Sequence, residues 1–294
     1  MFFKPDEIIQ QYITTSVSKT KMSSIMIIAK SILAGLMIGM GAACSSVAAH
    51  TITNVGIARL IAGIVFPVGL MMVILMGAEL FTGDCLMSSA VARRSISFFQ
   101  MVRVLSLVFA GNFIGSFILS ILIFFSGQLN FSNGLLGAYT IKVALGKTSL
   151  TPLQGITSGI LCNILVCAAV LMAMASKDVT GKLLASFFVV MPFVTGGFEH
   201  CVANMYYISA GLLAKTNPDF VKIASSTYGI TDFSSLSIQG FLINNLVPVT
   251  LGNIAGGSLV IGLPMYYINT NLKLSKKGSK ENDVHYDYAG NFGN

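Results

Sequence analysis

Long apolar stretches alternate with short polar ones along most of this chain. The pattern predicts six membrane-spanning helices, at about 25–48, 58–92, 104–125, 153–175, 183–213 and 241–267. Ahead of the first span, residues 5–20 read as a short amphipathic helix with Ile8, Ile9, Tyr12 and Ile13 on one side. A loop holding Lys142 and Lys147 separates the third and fourth spans, and a second polar loop precedes the sixth. Residues 1–270 read as a single transmembrane domain and 271–294 as a polar tail.

Two of the apolar runs are interrupted by charge. Gly77 opens the segment Glu79-Leu80-Phe81-Thr82-Gly83-Asp84 in the second span, and Gly196-Gly197 opens Phe198-Glu199-His200 in the fifth. A charged group at membrane depth costs several kcal/mol unless it faces a cavity or a partner. A helix breaks at that depth only where the freed backbone is buried in protein or lines a cavity. Breaks at corresponding places of two halves point to a solute path near the bilayer midplane.

The halves echo each other elsewhere. Gly35-x-x-x-Gly39 in the first span pairs with Gly155-x-x-x-Gly159 in the fourth, and Gly111-Asn112-x-x-Gly115 in the third with Gly252-Asn253-x-x-Gly256 in the sixth. Three spans per half is an odd number, so the second half is inverted relative to the first. The expected fold is an all-α membrane protein with a three-plus-three inverted repeat, its second and fifth helices broken at the midplane.

Composition agrees. Charged residues are 10% of the chain, against about 25% in an ordinary soluble domain. The net charge of +7 could suggest a nucleic-acid partner, but its distribution is that of a topology signal. With six spans, 13 lysines and arginines fall on the side of the termini and 5 on the other, which places both termini in the cytoplasm of a multi-pass cell-membrane protein. The first residues, with Lys4, Asp6 and Glu7, lack the apolar core of a cleaved signal peptide. The five cysteines form no CxxC pair and read as small buried hydrophobes. Neither a metal cluster nor a nucleotide motif is evident, and His200 stands alone where an intramembrane haem would need axial partners. No cofactor, metal or enzymatic activity is therefore expected.

The candidate chemistry lies at the breaks. The second half of a broken helix starts with a partly positive end that attracts anions. His200 can donate hydrogen bonds and Thr82 supplies a hydroxyl. Glu79 and Glu199 read as braces, since a carboxylate in the path would repel an anion, and Asp84 reads as a cap on the half-helix that follows the first break. Phe66, Leu70, Leu80, Phe81 and Phe193 are candidate wall residues, while Asn163, Asn204 and Asn253 read more readily as interhelical links than as ligands.

Three strings then match a family. Gly77-Ala78-Glu79-Leu80-Phe81-Thr82-Gly83, Gly197-Phe198-Glu199-His200-Cys201-Val202-Ala203-Asn204-Met205 and the run from Asn245 to Gly257 resemble the formate/nitrite transporter family, over about residues 5–267. The resemblance implies a homopentamer of aquaporin-like protomers in the lipid bilayer. Each protomer would have its own pore for formate, nitrite or hydrosulfide. It makes Thr82 and His200 the central polar pair and Phe66, Leu70, Leu80 and Phe193 the constrictions. Lys147 becomes a vestibule lysine that raises the local potential, and Asn163 and Asn253 become polar residues near the histidine. The N-terminal helix resembles a gating segment. A hydrosulfide-preferring channel and a facilitator of neutral solutes are the alternatives, with a membrane-embedded enzyme or redox subunit as the least favoured reading of another class. For His200 two roles stay open. It can lend a proton so that the solute crosses as a neutral acid, the role that a costly lone titratable group at mid-depth favours, or it can stay neutral and donate a hydrogen bond.

Overall fold

A computed structural model describes residues 2–270. The tail at 271–294, expected to be polar and cytoplasmic, lies outside the described residues. Helix α1 (Pro5–Lys21) precedes the first span, α2 (Ser24–Ala49), whose N-terminus is capped by the Ser23 side chain accepting from Met26 N–H. The second span holds α3 (Val55–Val65) and α4 (Val68–Met76), separated at Phe66–Pro67. After the break, α5 (Phe81–Asp84) runs through a 3-10 turn into α6 (Ser88–Ala92). The third span is α7 (Phe98–Phe125), started by a capping box of Ser97 and Gln100.

Helix α8 (Leu135–Thr148) follows where a loop was expected. Its buried face (Leu136, Ile141, Ala144, Leu145) supplies a helical period that the surrounding glycines and serines obscure. The fourth span is α9 (Pro152–Ala175), with Thr151 and Gln154 as its capping box. The fifth is α10 (Val179–Gly196), then α11 (Cys201–Lys215) beyond its break. Helix α12 (Pro218–Tyr228) replaces part of the second expected loop, anchored by buried Phe220 and Ala224. The sixth span covers Gly240–Thr270 and contains α13 (Val247–Ile254) between two π-helical stretches. Six segments among the described residues are thus long and apolar enough to cross a membrane.

Tight backbone packing builds the bundle. Helix α2 packs along α7, and α9 along α13. Gly115 lies against the Ile32 carbonyl and Gly256 against the Ile160 carbonyl, each so closely that a Cβ would overlap the oxygen. These contacts carry the two-fold relation of the halves, and they correct the expected register of the first and fourth spans. Asn112 Nδ2 donates to Ser31 O at 2.8 Å, and Asn253 Nδ2 donates to Gly159 O at 2.8 Å. The counterpart of Gly159 is therefore Ser31 rather than Gly39, a slip of about two turns. A spacing of small residues recurs on any tightly packed membrane helix, so it could not fix the register.

Candidate functional site

Both breaks are built alike. Helix α4 stops at Gly77 and α10 at Gly197, with φ of 65° and 72°, a left-handed conformation that glycine adopts without the Cβ clash. The chain then runs extended to Leu80 on one side and His200 on the other, which are the N-caps of α5 and α11. One asparagine holds each break. Asn112 Oδ1 accepts from Phe81 N–H at 2.9 Å while its amide donates to Glu79 O at 2.9 Å. Asn253 Oδ1 accepts from Cys201 N–H at 2.9 Å and its amide donates to Glu199 O at 3.0 Å. The exposed polar backbone that would otherwise be costly in an apolar surround is thereby paired. The first N–H of each half-helix, expected to be free for an anion, is taken by its asparagine.

The two half-helices meet at their starts. Thr82 Oγ1 lies 2.9 Å from His200 Nε2, and both residues are buried. His200 Nδ1 accepts from Ala203 N–H at 3.0 Å, so the ring caps its own helix. That contact needs a lone pair on Nδ1, so the proton of the neutral ring sits on Nε2 and is donated to Thr82. The threonine hydroxyl hydrogen is then left to point elsewhere. The Phe193 ring stacks on the imidazole with centroids 5.9 Å apart, and Phe66 meets Phe193 edge-on at 5.5 Å. Phe66, Phe193 and His200 all line a cavity of about 610 Å³ that opens toward α8 and α12.

Each break glutamate is held by a lysine from a helix outside the six spans. Lys147, on α8, lies 2.9 Å from Glu199, and Lys19, on α1, lies 2.6 Å from Glu79. Glu199 also accepts from Asn204 at 2.6 Å and Asn245 at 3.3 Å. Glu79 has a second, looser cation in Lys30 at 3.8 Å. Both carboxylates are braces, as expected. Asp84 is not a helix cap: it is buried within α5 and pairs with Lys19. Tyr12 adds a 2.8 Å hydrogen bond from α1 to Gly83 O, which seats the N-terminal helix under the first break.

A family model described as formate/nitrite transporter matches residues 6–267. The chain belongs to the formate/nitrite transporter family. "Formate channel FocA" of Haemophilus influenzae is 39% identical over 220 residues, covering 72% of this chain and 75% of that protein. "Formate channel FocA" of Escherichia coli is 34% identical over 215 residues, with the same two coverages. A solved structure titled "Pentameric formate channel with formate bound" superimposes with a TM-score of 0.74 at 32% identity, over 83% of this chain and 97% of that one. This formate/nitrite transporter family member is thus a multi-pass membrane protein of a channel family, not an enzyme.

Several expected pore residues of this family member do not line the large cavity. Phe81 turns from the cavity to pack on Phe109, 5.1 Å between centroids, and lines a separate recess of about 240 Å³ with residues of α7 and α13. It neighbours Thr82 on the same helix, and successive helical residues point about 100° apart. Asn163 is buried away from the cavity and donates to Thr82 O at 3.1 Å and Asn253 O at 2.6 Å. Asn163 and Asn253 are links between helices rather than lining residues. Leu70 and Leu80 are buried and do not line the large cavity, whereas Lys147 does. Asn112 was missed as a functional residue, although its match to Asn253 in the repeat was a usable signal.

Proposed function

We propose that this protein is a channel for small monovalent anions of the formate type, working as a homopentamer with one path per protomer. The observation that carries the reading is the Thr82–His200 contact, where the starts of two half-helices meet beneath an apolar, aromatic-walled cavity. Two helix N-termini supply partial positive charge, and the lysine at each break is paired with a glutamate, which favours passage of an anion over its retention. The names of the family relatives support formate as the solute.

His200 acts in this reading as a neutral donor, not as a lender of protons. A second proton on Nδ1 would replace an accepted hydrogen bond by two N–H groups facing each other. His200 Nε2–H holds the Thr82 oxygen, and the Thr82 hydroxyl hydrogen is free for a solute oxygen. Both termini lie in the cytoplasm, which puts the large cavity on the outer face.

Purified protein in liposomes tests the function. Formate entry, followed with an internal pH dye and a membrane-potential dye, should exceed that of empty liposomes. Hydrosulfide flux with formate excluded would replace formate by hydrosulfide as the solute, and flux of neither ion would overturn the channel reading.

A further inference from the structure

Besides His200, four cationic or potentially cationic side chains line the large cavity: His50, Arg59, Lys142 and Lys147, with no aspartate or glutamate among its lining residues. They are not equivalent. Lys147 is neutralised by Glu199. His50 is held between Val47 O at 2.7 Å and Ser132 Oγ at 2.9 Å. Lys142 sits over the Tyr228 ring, 4.3 Å from its centroid. Arg59, on α3, makes no hydrogen bond or ion pair among the described residues. Its guanidinium rests directly on Gly197, the left-handed residue at which α10 breaks, so closely that a Cβ there would overlap the nitrogen.

The opposite break has no such feature. Among the described residues nothing lies within 4 Å of a Cβ built on Gly77. The guanidinium is therefore an addition to one end of a path that is otherwise two-fold in its bracing. Gly197 stands three residues before His200 in the chain, and both line the same cavity. A solute bound at Arg59 is at the approach to the central pair.

We propose that Arg59 is a specificity-determining residue, a fork that captures planar oxyanions at this mouth of the path and favours them over a monatomic-donor anion such as hydrosulfide. The inference rests on the channel reading and deepens it. A guanidinium presents parallel N–H groups that match the two oxygens of a carboxylate or nitrite, whereas an ammonium is a point charge. Hydrosulfide has one acceptor atom and gains from charge alone. Charge and fork can thus be separated by substitution.

The test compares initial formate and hydrosulfide fluxes through wild type, Arg59→Lys, Arg59→Gln and Lys222→Gln in liposomes. Lys222 is an exposed α12 lysine outside the cavity lining and controls for the general field. At low ionic strength Arg59→Gln should slow both anions, formate by about fivefold, the scale of one charge-assisted contact. Arg59→Lys should restore hydrosulfide flux to the wild-type value while leaving formate about threefold low. The Arg59→Gln loss should shrink in high salt, which screens an exposed charge. Equal restoration of both anions by lysine would overturn the fork, and an unaltered Arg59→Gln, or a Lys222→Gln loss of the same size, would overturn the site. Failure of the wild type to carry either anion would instead remove the channel reading itself.

Discussion

Asn112 and Asn253 are structural counterparts: each bridges the extended strand of one break to the neighbouring span, accepting from the first N–H of the half-helix and donating to two backbone carbonyls. Neither touches the cavity. They convert two stretches of unpaired backbone into fixed scaffolding, and on that scaffolding the starts of α5 and α11 are brought together. Removing either amide should orphan a buried donor and two acceptors at about 1–3 kcal/mol per group. Asn112→Ala and Asn253→Ala should therefore each lower the thermal midpoint of the detergent-solubilised protein strongly. A midpoint unchanged in either variant would show that the asparagine is not what holds its break.

The lysine–glutamate pairs give a second expectation. Glu199 is 6% exposed and its carboxylate is shared by Lys147, Asn204 and Asn245. Lys147→Met should cost about 3–5 kcal/mol, because it strips a buried carboxylate of its cation. The double variant Lys147→Met/Glu199→Gln should recover much of that loss, since no net charge then stays buried. Thermal unfolding of the three proteins decides it, and a double variant as unstable as the single one would place the cost in lost packing instead. Lys147→Ala flux at low salt separates the pairing from a role in attracting anions, because a lysine already neutralised adds little to the field.

Both breaks were legible in the sequence because Gly77 and Gly197 stand beside charge inside apolar runs, a combination that ordinary spans avoid. Thr82, His200 and the wall candidates Phe66 and Phe193 were legible from the breaks and the apolar runs beside them, and the family resemblance made Thr82 and His200 a central pair. What stayed hidden depends on tertiary contact. Lys19 and Asp84 meet across 65 residues of sequence, and nothing local marks them as partners. Phe81 and Thr82 are adjacent, so a motif cannot say which of the two faces the path. The α8 and α12 helices carry enough glycine, serine and lysine to read as loops, and only the burial of Ile141 and Phe220 shows why they are ordered.

Orientation is a separate question from fold. In a cysteine-free background, single cysteines at Thr14 on α1 and at Ser132 beside α8 should report opposite sides. In intact cells an impermeant maleimide should label the Ser132 position and spare the Thr14 position. The reverse pattern would place the termini and α1 outside.

Gly77 and Gly197 differ in one respect that mutation can expose. Alanine at either position forces a side chain into the left-handed region, which costs about 1–2 kcal/mol. At Gly77 the Cβ meets open space, whereas at Gly197 it meets the Arg59 guanidinium. Gly197→Ala should thus lose more stability than Gly77→Ala and should also slow formate entry at low salt by displacing Arg59. Equal midpoints and equal fluxes for the two variants would mean that the contact with Arg59 carries no weight.

The role of His200 comes down to its two nitrogens. Nδ1 caps α11 through Ala203 N–H and Nε2 reaches Thr82, so the ring is committed on both sides. An asparagine offers a similar cap and a similar donor but holds no exchangeable charge near neutral pH. If the histidine works as a neutral donor, His200→Asn should keep both the formate current and any acid uptake at close to the wild-type rates. His200→Ala should lose the cap, at about 1 kcal/mol of stability, together with most of the flux. Under proton lending the order differs: His200→Asn would abolish acid uptake and leave an electrogenic formate leak. A pH dye inside liposomes and a potential-sensitive dye across the same membranes separate the two, because a neutral acid moves protons without current and a bare anion moves current without protons. Acid uptake lost in His200→Asn while the leak persists would return the proton to the histidine.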